Sequence, residues 1–439
     1  MNEHTVTTRR QFLKKASAAA IGAIGFPMII PSSALGRAGA VAPSDRITIG
    51  CIGVGSMGTA NMERFLEKPG AQIVAVCDVD EARRNDAAKI VQKMSGKKGC
   101  ATYNDFRELI ARKDVDAVSM ATPDHWHALI AVAAARAGLD IYGEKPLAFT
   151  IAEGRAIVEA VKRYGVIWQT GSWQRSVRNF RHACELVRNG RIGKVHTVRV
   201  GLPYGFSIAD MGGFKPAPVP KGFDYEMWLG PAPWAPYAPN RCHWNFRWIS
   251  DYSGGQLTDW AGHHCDIAQW GVNTELTGPA EIEGVAKFPK AENGLFDTAT
   301  SYRFVCAYKE GFTMIVADQK QQPKGMGVQF EGSDGWIWVD REGYDASPKS
   351  LLSSVIGPKE IHLYRSEDHH QNFLDCVRTR QQTVTPAEIA HRSIMIGHLG
   401  LIAMKLGRKV RWDAVAERFI NDSEADRMLS RPMRGPWHL

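Results

Sequence analysis

Apolar and polar positions fall into alternating blocks over the first third of the chain. Residues 46–52 alternate and then run apolar into a glycine cluster, and further apolar runs lie at 72–77, 117–121, 140–143 and 166–169. Runs of this length, bounded by turn residues, read as strands. Between them stand stretches of helical period near 59–66, 81–94, 128–137 and 151–164. Strand and helix taking turns predicts an α/β unit with a doubly wound parallel sheet over 41–170. The pattern then changes. Strand-like runs at 196–202, 281–288, 298–308, 312–318, 328–331 and 336–339 follow one another with few helices between. They predict a larger C-terminal α+β domain, 171–439, with a mainly antiparallel open sheet. Helical stretches at 179–189, 369–379 and 387–406 are expected to cover one face of that sheet. A Pro-, Trp- and Tyr-rich insertion occupies about 203–253.

With 439 residues, 44% hydrophobic and 23% charged, the chain has the composition of a globular protein large enough to bury a cofactor. No apolar run reaches the roughly 20 residues of a membrane span, so stable membrane insertion is not expected. The net charge of +8 is misleading as a sign of nucleic-acid binding. Half of it comes from residues 1–40, where Arg9, Arg10, Lys14, Lys15 and Arg37 face Glu3 alone. The remainder shows no basic run. Thr8-Arg9-Arg10-Gln11-Phe12-Leu13-Lys14 precedes an apolar, small-residue stretch at 16–30. This resembles a twin-arginine export signal, with cleavage expected between Gly36 and Ala42. The expectations are a periplasmic or otherwise exported protein and the twin-arginine machinery as a partner. Eight cysteines without C-x-x-C spacing suggest core thiols rather than a disulfide framework or zinc ribbon.

Gly53-Val54-Gly55-Ser56-Met57-Gly58 follows the first strand and opens a helix, the context a G-x-G-x-x-G dinucleotide motif needs. Asp78 stands 20 residues after Gly58, at the end of the second strand, where a carboxylate can bind the ribose hydroxyls. This Rossmann signature predicts NAD as cofactor. Arg83 and Arg84 nearby keep NADP open.

Two segments end strands at the ligand-binding edge of that sheet: Thr122-Pro123-Asp124-His125-Trp126-His127 and Glu144-Lys145-Pro146. A lysine there can share or shuttle a substrate hydroxyl proton. In the second domain Asp259 and His263 are four residues apart on a helical pattern that starts after Gly254-Gly255. That spacing puts them on one face, and a carboxylate beside an imidazole can orient a general base. A metal site from His125, His127, His263 and Cys265 suffers from scattered ligands, and no metal is expected.

Through the glycine motif, Thr122–His127, E-K-P, 171–175 and D-x-x-x-H-x-x-D at 259–266, the sequence from about Arg46 onward resembles the glucose-fructose oxidoreductase/inositol dehydrogenase family (Gfo/Idh/MocA). The resemblance implies an NAD(P)-dependent oxidoreductase acting on a secondary alcohol of a sugar, cyclitol or glycoside. Lys145, Asp259 and His263 are then the catalytic set. Glu144 and His127 are expected beside the nicotinamide, with Thr122, and Arg175 in the substrate cleft. An open sheet implies a homo-oligomer. The insertion is absent from shorter members of the family. Its Trp228, Trp234, Tyr237, Trp244 and Trp248 suit either sugar rings or a small core of their own, and Trp244 and Trp248 are the candidates for substrate contact. A redox-neutral glycoside-cleaving enzyme and a non-catalytic sugar-binding protein are the competing readings; the retained Lys145, Asp259 and His263 oppose the second.

Overall fold

The computed structural model describes residues 42, 45–96, 99–205, 214–289 and 294–439. The export-signal expectation lies outside the described residues. Strands β1 (Ile47–Ile52), β2 (Ala71–Cys77), β3 (Ala101–Tyr103), β4 (Ala117–Met120), β5 (Asp140–Gly143) and β6 (Trp168–Thr170) form one sheet in the order β3-β2-β1-β4-β5-β6. Every neighbouring pair is parallel. Helices α1 (Ser56–Leu66), α2 (Glu81–Ser95), α3 (Phe106–Ile110), α4 (His127–Arg136) and α5 (Ile151–Tyr164) connect the strands. Local chemistry sets their ends. The Asp80 carboxylate accepts from the Ala82 and Arg83 amides at the start of α2, and Gly96 stops it in the left-handed region at φ 67°. Because both faces are covered, β4 and β5 are buried throughout. Strand order reverses between β1 and β4, which opens a crevice at their carboxyl ends.

The second sheet is built from β7 (Val195–Leu202), β8 (Glu281–Lys287), β9 (Ser301–Ala307), β10 (Thr313–Asp318), β11 (Gly327–Gly332), β12 (Gly335–Val339), β13 (Tyr344–Ser347), β14 (Val410–Asp413) and β15 (Arg418–Phe419), in the order β13-β12-β11-β7-β10-β9-β8-β14-β15. It is antiparallel except for the β7–β10 pair. Residues of period two, including Val198, Val200, Phe304, Met314, Val316 and Phe330, are fully buried on the inner face. Helices α6 (Arg178–Arg188), α8 (Gln256–Val272) and α10 (Ala387–Leu406) pack there. The outer face is polar and apolar by turns; Arg199 Nε, for example, donates to Glu331 at 2.7 Å.

One helix goes elsewhere. Residues 369–379 do form a helix, α9 (His369–Thr379), but it lies against the first sheet rather than the second. Phe373 and Leu374 are buried in one cluster with Ile49, Phe65 and Tyr142. The Phe373 ring stands 5.9 Å from Phe65 and 5.8 Å from Tyr142. An apolar stripe shows that a helix is covered; it does not say by which sheet. A last short helix, α11, spans Ser423–Arg427.

The insertion folds on itself, around a short helix α7 (Tyr225–Leu229). Trp228, Leu229, Tyr237, Trp248 and Tyr252 form a separate buried cluster. It is tied to the turn after β2: the Asp224 amide donates to the Val79 carbonyl at 3.0 Å and the Glu81 amide to the Gly222 carbonyl at 2.9 Å. Asn104 Nδ2 donates to Asp224 Oδ2 at 2.7 Å. All eight cysteines are free, and all but Cys100 are buried.

Candidate active site

At the end of β1, Gly53 turns the chain with φ 77°, and a Cβ on Gly58 would sit 1.8 Å from the Gly53 carbonyl oxygen. The turn and the close approach of helix to strand both require glycine. The Val54 amide donates to Asp78 Oδ2 at 2.9 Å, and the Asp80 amide to Oδ1 at 3.0 Å. Asp78 is thereby fixed beside the glycine loop; burial raises its pKa, and those amides and Arg83 oppose the rise. A cavity of about 410 Å³ begins here. Gly53, Gly55, Asp78, Thr122, Glu144 and Lys145 line it from one side, and Phe223, Trp228, Trp244 and Arg247 of the insertion from the other. The Thr122 hydroxyl is buried with no hydrogen-bond partner, as expected of a group kept for a ligand. A dinucleotide fits these residues: a glycine cradle, a carboxylate for the ribose and an orphaned hydroxyl at the far end.

Lys145 follows β5, and Asp259 lies in the first turn of α8, which begins after Gly255 at φ 80°. Lys145 Nζ donates to Asp259 Oδ1 at 2.9 Å and to the Asp259 carbonyl at 3.2 Å. Arg247 Nε, from the insertion, donates to the same Oδ1 at 3.3 Å. Burial opposes the charge on Asp259, but the two cations outweigh it and hold the carboxyl below its ordinary pKa. Here the structure corrects an expectation: Asp259 does not orient His263. Helical spacing places the two on one face, yet the carboxylate turns to Lys145 and Arg247, and His263 Nδ1 is buried without a partner. Burial first, and then the charges of Lys145 and Arg341, keep the His263 pKa well below its usual value. The ring therefore resists protonation, and its Nδ1 stays unpartnered.

Glu144 lies under the cavity, with Asn61 Nδ2 donating to Oε1 at 2.9 Å and the Lys145 amide to Oε2 at 3.2 Å. A Cβ on Gly171 would sit 2.5 Å from Oε1, which explains a glycine at that position.

Three expected ligand contacts are corrected. His127 does not line the cavity; its ring is buried between the carbonyls of Pro146, 2.7 Å from Nδ1, and Thr122, 2.9 Å from Nε2, and so braces the two loops against each other. Arg175 is 3% exposed and forks onto Asp266, Nε to Oδ2 and Nη2 to Oδ1 both at 2.7 Å, with Glu275 on Nη1. It pins α8 and faces no cleft. Trp248 is 1% exposed in the insertion's own core, whereas Trp244 is 57% exposed at the cavity mouth. Arg247 and Asn61 escaped the sequence reading. Arg247 sits in an aromatic run whose spacing does not reveal which side chain turns inward, and Asn61 looks like any polar helix residue.

Comparison with known proteins agrees with this architecture. Residues 47–172 match the family described as "Oxidoreductase family, NAD-binding Rossmann fold", and residues 175–439 match "Oxidoreductase family, C-terminal alpha/beta domain". The chain belongs to the Gfo/Idh/MocA oxidoreductase family. It is 35% identical to myo-inositol 2-dehydrogenase of Thermotoga maritima over 376 residues, 84% of this chain and 99% of that one. It is 33% identical to alpha-N-acetylgalactosaminidase of Shewanella oneidensis over 169 residues, 35% of this chain and 37% of that one. Levoglucosan dehydrogenase in complex with NADH and levoglucosan shares the fold, with a TM-score of 0.62 at 18% identity over 83% of this chain and 99% of that one.

Proposed function

We propose that the protein moves a hydride between NAD(P) and a secondary alcohol carbon of a sugar, cyclitol or glycoside. The observation that carries this reading is the meeting of Lys145, from the cofactor sheet, with Asp259 of α8, one turn before the neutral His263. A bound nicotinamide supplies the hydride acceptor or donor. The chain's own residues handle the proton: as the hydride leaves the alcohol carbon, the hydroxyl proton must go to a base, a role assigned to His263, with the Lys145 ammonium donating a hydrogen bond to the same hydroxyl oxygen. Asp259 is a positioning residue that holds the ammonium of Lys145 in place. Its relative's name, a cyclitol dehydrogenase, and Trp244 at the mouth support a polyol or sugar. The test is to mix full chain with NAD or NADP and a panel including myo-inositol, glucose and levoglucosan, and to follow nicotinamide absorbance. Absence of any change with bound cofactor defeats the reading.

The partial similarity to an alpha-N-acetylgalactosaminidase favours one second reading, redox-neutral glycoside cleavage. Aglycone release from nitrophenyl glycosides without net reduced nicotinamide distinguishes it.

We further propose that the protein is exported, on the Arg9-Arg10-Gln11-Phe12-Leu13 pattern, and that it keeps its cofactor through the cycle. The insertion supports retention, because it closes over the cavity and is hydrogen-bonded to the turn after β2. Extensive dialysis of purified protein is expected to leave about one NAD(H) per chain; nucleotide-free protein contradicts this. Half-buried Trp336 and Trp338 and exposed Val285 on the outer sheet face support a homo-oligomer, which light scattering tests.

A further inference from the structure

Beyond the residues that face the cofactor, α8 carries a second feature on the Trp260 side. The turn between β12 and β13 presents Arg341, whose guanidinium carbon lies 4.5 Å from the Trp173 ring centroid and 4.4 Å from that of Trp260. Two indole faces thus grip one cation. Gln174 holds it as well. With the amide turned so that its nitrogen donates to the His263 carbonyl at 3.2 Å, its oxygen accepts from Arg341 Nε at 3.1 Å. Arg341 is therefore one side chain away from the backbone of His263. The turn itself is fixed, since Asp340 Oδ1 accepts from the Glu342 amide at 2.8 Å and also from the Gly343 amide.

What Arg341 lacks is an anion. Lys145 and Arg247 both lie within ion-pair distance of Asp259. Among the described residues no carboxylate comes within 4.0 Å of Arg341, whereas Arg175, Arg188 and Arg431 each have one. A guanidinium held between two rings and one amide, with no carboxylate on it, matches the planar geometry of a carboxylate ligand. Lys145 and Arg247 share the one carboxylate of Asp259, and Arg341 adds a third cation linked to the His263 backbone through Gln174, so the surplus charge favours an anionic ligand.

The geometry points to Arg341 as a specificity-determining residue that receives the carboxylate of an acidic sugar, of the uronate class, while Trp173 and Trp260 flank it. This rests on the reading of the site as one for sugar or polyol oxidation or reduction. It narrows that reading from neutral polyols to acids.

The test pairs acids with their neutral partners on the cofactor-loaded full chain: D-glucuronate against D-glucose, and D-galacturonate against D-galactose. Binding is followed by tryptophan fluorescence and hydride transfer by nicotinamide absorbance. The acid of at least one pair is expected to bind ten times or more tightly than its neutral partner. Arg341→Gln should abolish that preference, and Arg341→Lys should keep it only in part because the fork is lost. Acid preference with no hydride transfer would leave this assignment standing and defeat the oxidoreductase reading of the site for these sugars. No acid preference in the wild type, or a preference unchanged in Arg341→Gln, overturns the assignment whatever the turnover.

Discussion

Lys145 and Asp259, 114 residues apart in sequence, meet with Nζ 2.9 Å from Oδ1 while their side chains are 11% and 12% exposed. The contact joins the loop after β5 to the first turn of α8, and Arg247 shares the same oxygen. That sharing makes the pair asymmetric. Removing the lysine leaves Asp259 with Arg247, whereas removing the carboxylate leaves two cations facing each other. Breaking a buried pair costs about 3–5 kcal/mol when the survivor has no partner. Asp259→Ala is therefore expected to lower the melting temperature clearly more than Lys145→Ala. Equal shifts by differential scanning calorimetry would contradict the shared ion pair.

For the chemistry the order reverses. Lys145→Ala, folded because Arg247 still compensates Asp259, is expected to lose turnover on the order of 10² or more, the scale of a lost general acid or base. His263→Ala should lose a similar amount. Cofactor affinity should persist in both, measured by fluorescence of the bound reduced nicotinamide. Near-normal turnover in a folded Lys145→Ala protein would remove it from the catalytic set.

Gly171→Ala tests the support beneath the cofactor. The new methyl would lie 2.5 Å from Glu144 Oε1, too near for a carboxylate held by Asn61 and the Lys145 amide. Glu144 must move, and Lys145 is its neighbour. Overpacking of this kind typically costs 1–3 kcal/mol, so the variant is expected to fold with reduced turnover. Asn61→Ala, which frees the carboxylate, should restore part of the loss in the double variant. Additive losses would mean that Gly171 acts some other way.

Both sheets were legible in the sequence because their strands carry period-two or fully apolar runs, and Lys145 was legible because a motif fixes its place after β5. Contacts between distant segments were not. The four-residue spacing of Asp259 and His263 suggested that they touch, but a helix face is wide enough for the carboxylate to turn toward Lys145 instead. Arg175 is a similar case, since a motif position near the cleft does not disclose the Asp266 and Glu275 carboxylates folded against it. Short edge strands such as β14 and β15 escaped notice because two to four residues carry too little periodicity. The aromatic insertion turned out to be both core and lid: Trp248 is sealed inside, and Trp244 faces the cavity.

Acid should destabilise the protein through a group of histidines buried in neutral form. Burial is the leading cause in each, and it pulls His125 and His370 down to about 3 and His264, His369 and His398 down to about 4. In the unfolded chain each returns to about 6.5. Between these values the unfolded state binds protons that the folded state refuses, so the stabilisation is complete above about pH 6.5 and is lost as the pH falls below it. Each group changes stability by about 1.4 kcal/mol per pH unit at full effect, and at pH 6 the five together should take up roughly four protons on unfolding. Buried carboxyls act in the opposite sense. Asp78, Asp124, Glu144 and Glu153 are raised by burial, so the folded state takes up their protons first and the acid loss is blunted toward pH 4. The steepest decline is therefore expected between pH 6.5 and 5. Calorimetric unfolding in buffers of different ionisation enthalpy measures the proton uptake directly. A melting temperature flat from pH 7.5 to 5.5, with no proton uptake at pH 6, would show that these histidines are not held neutral.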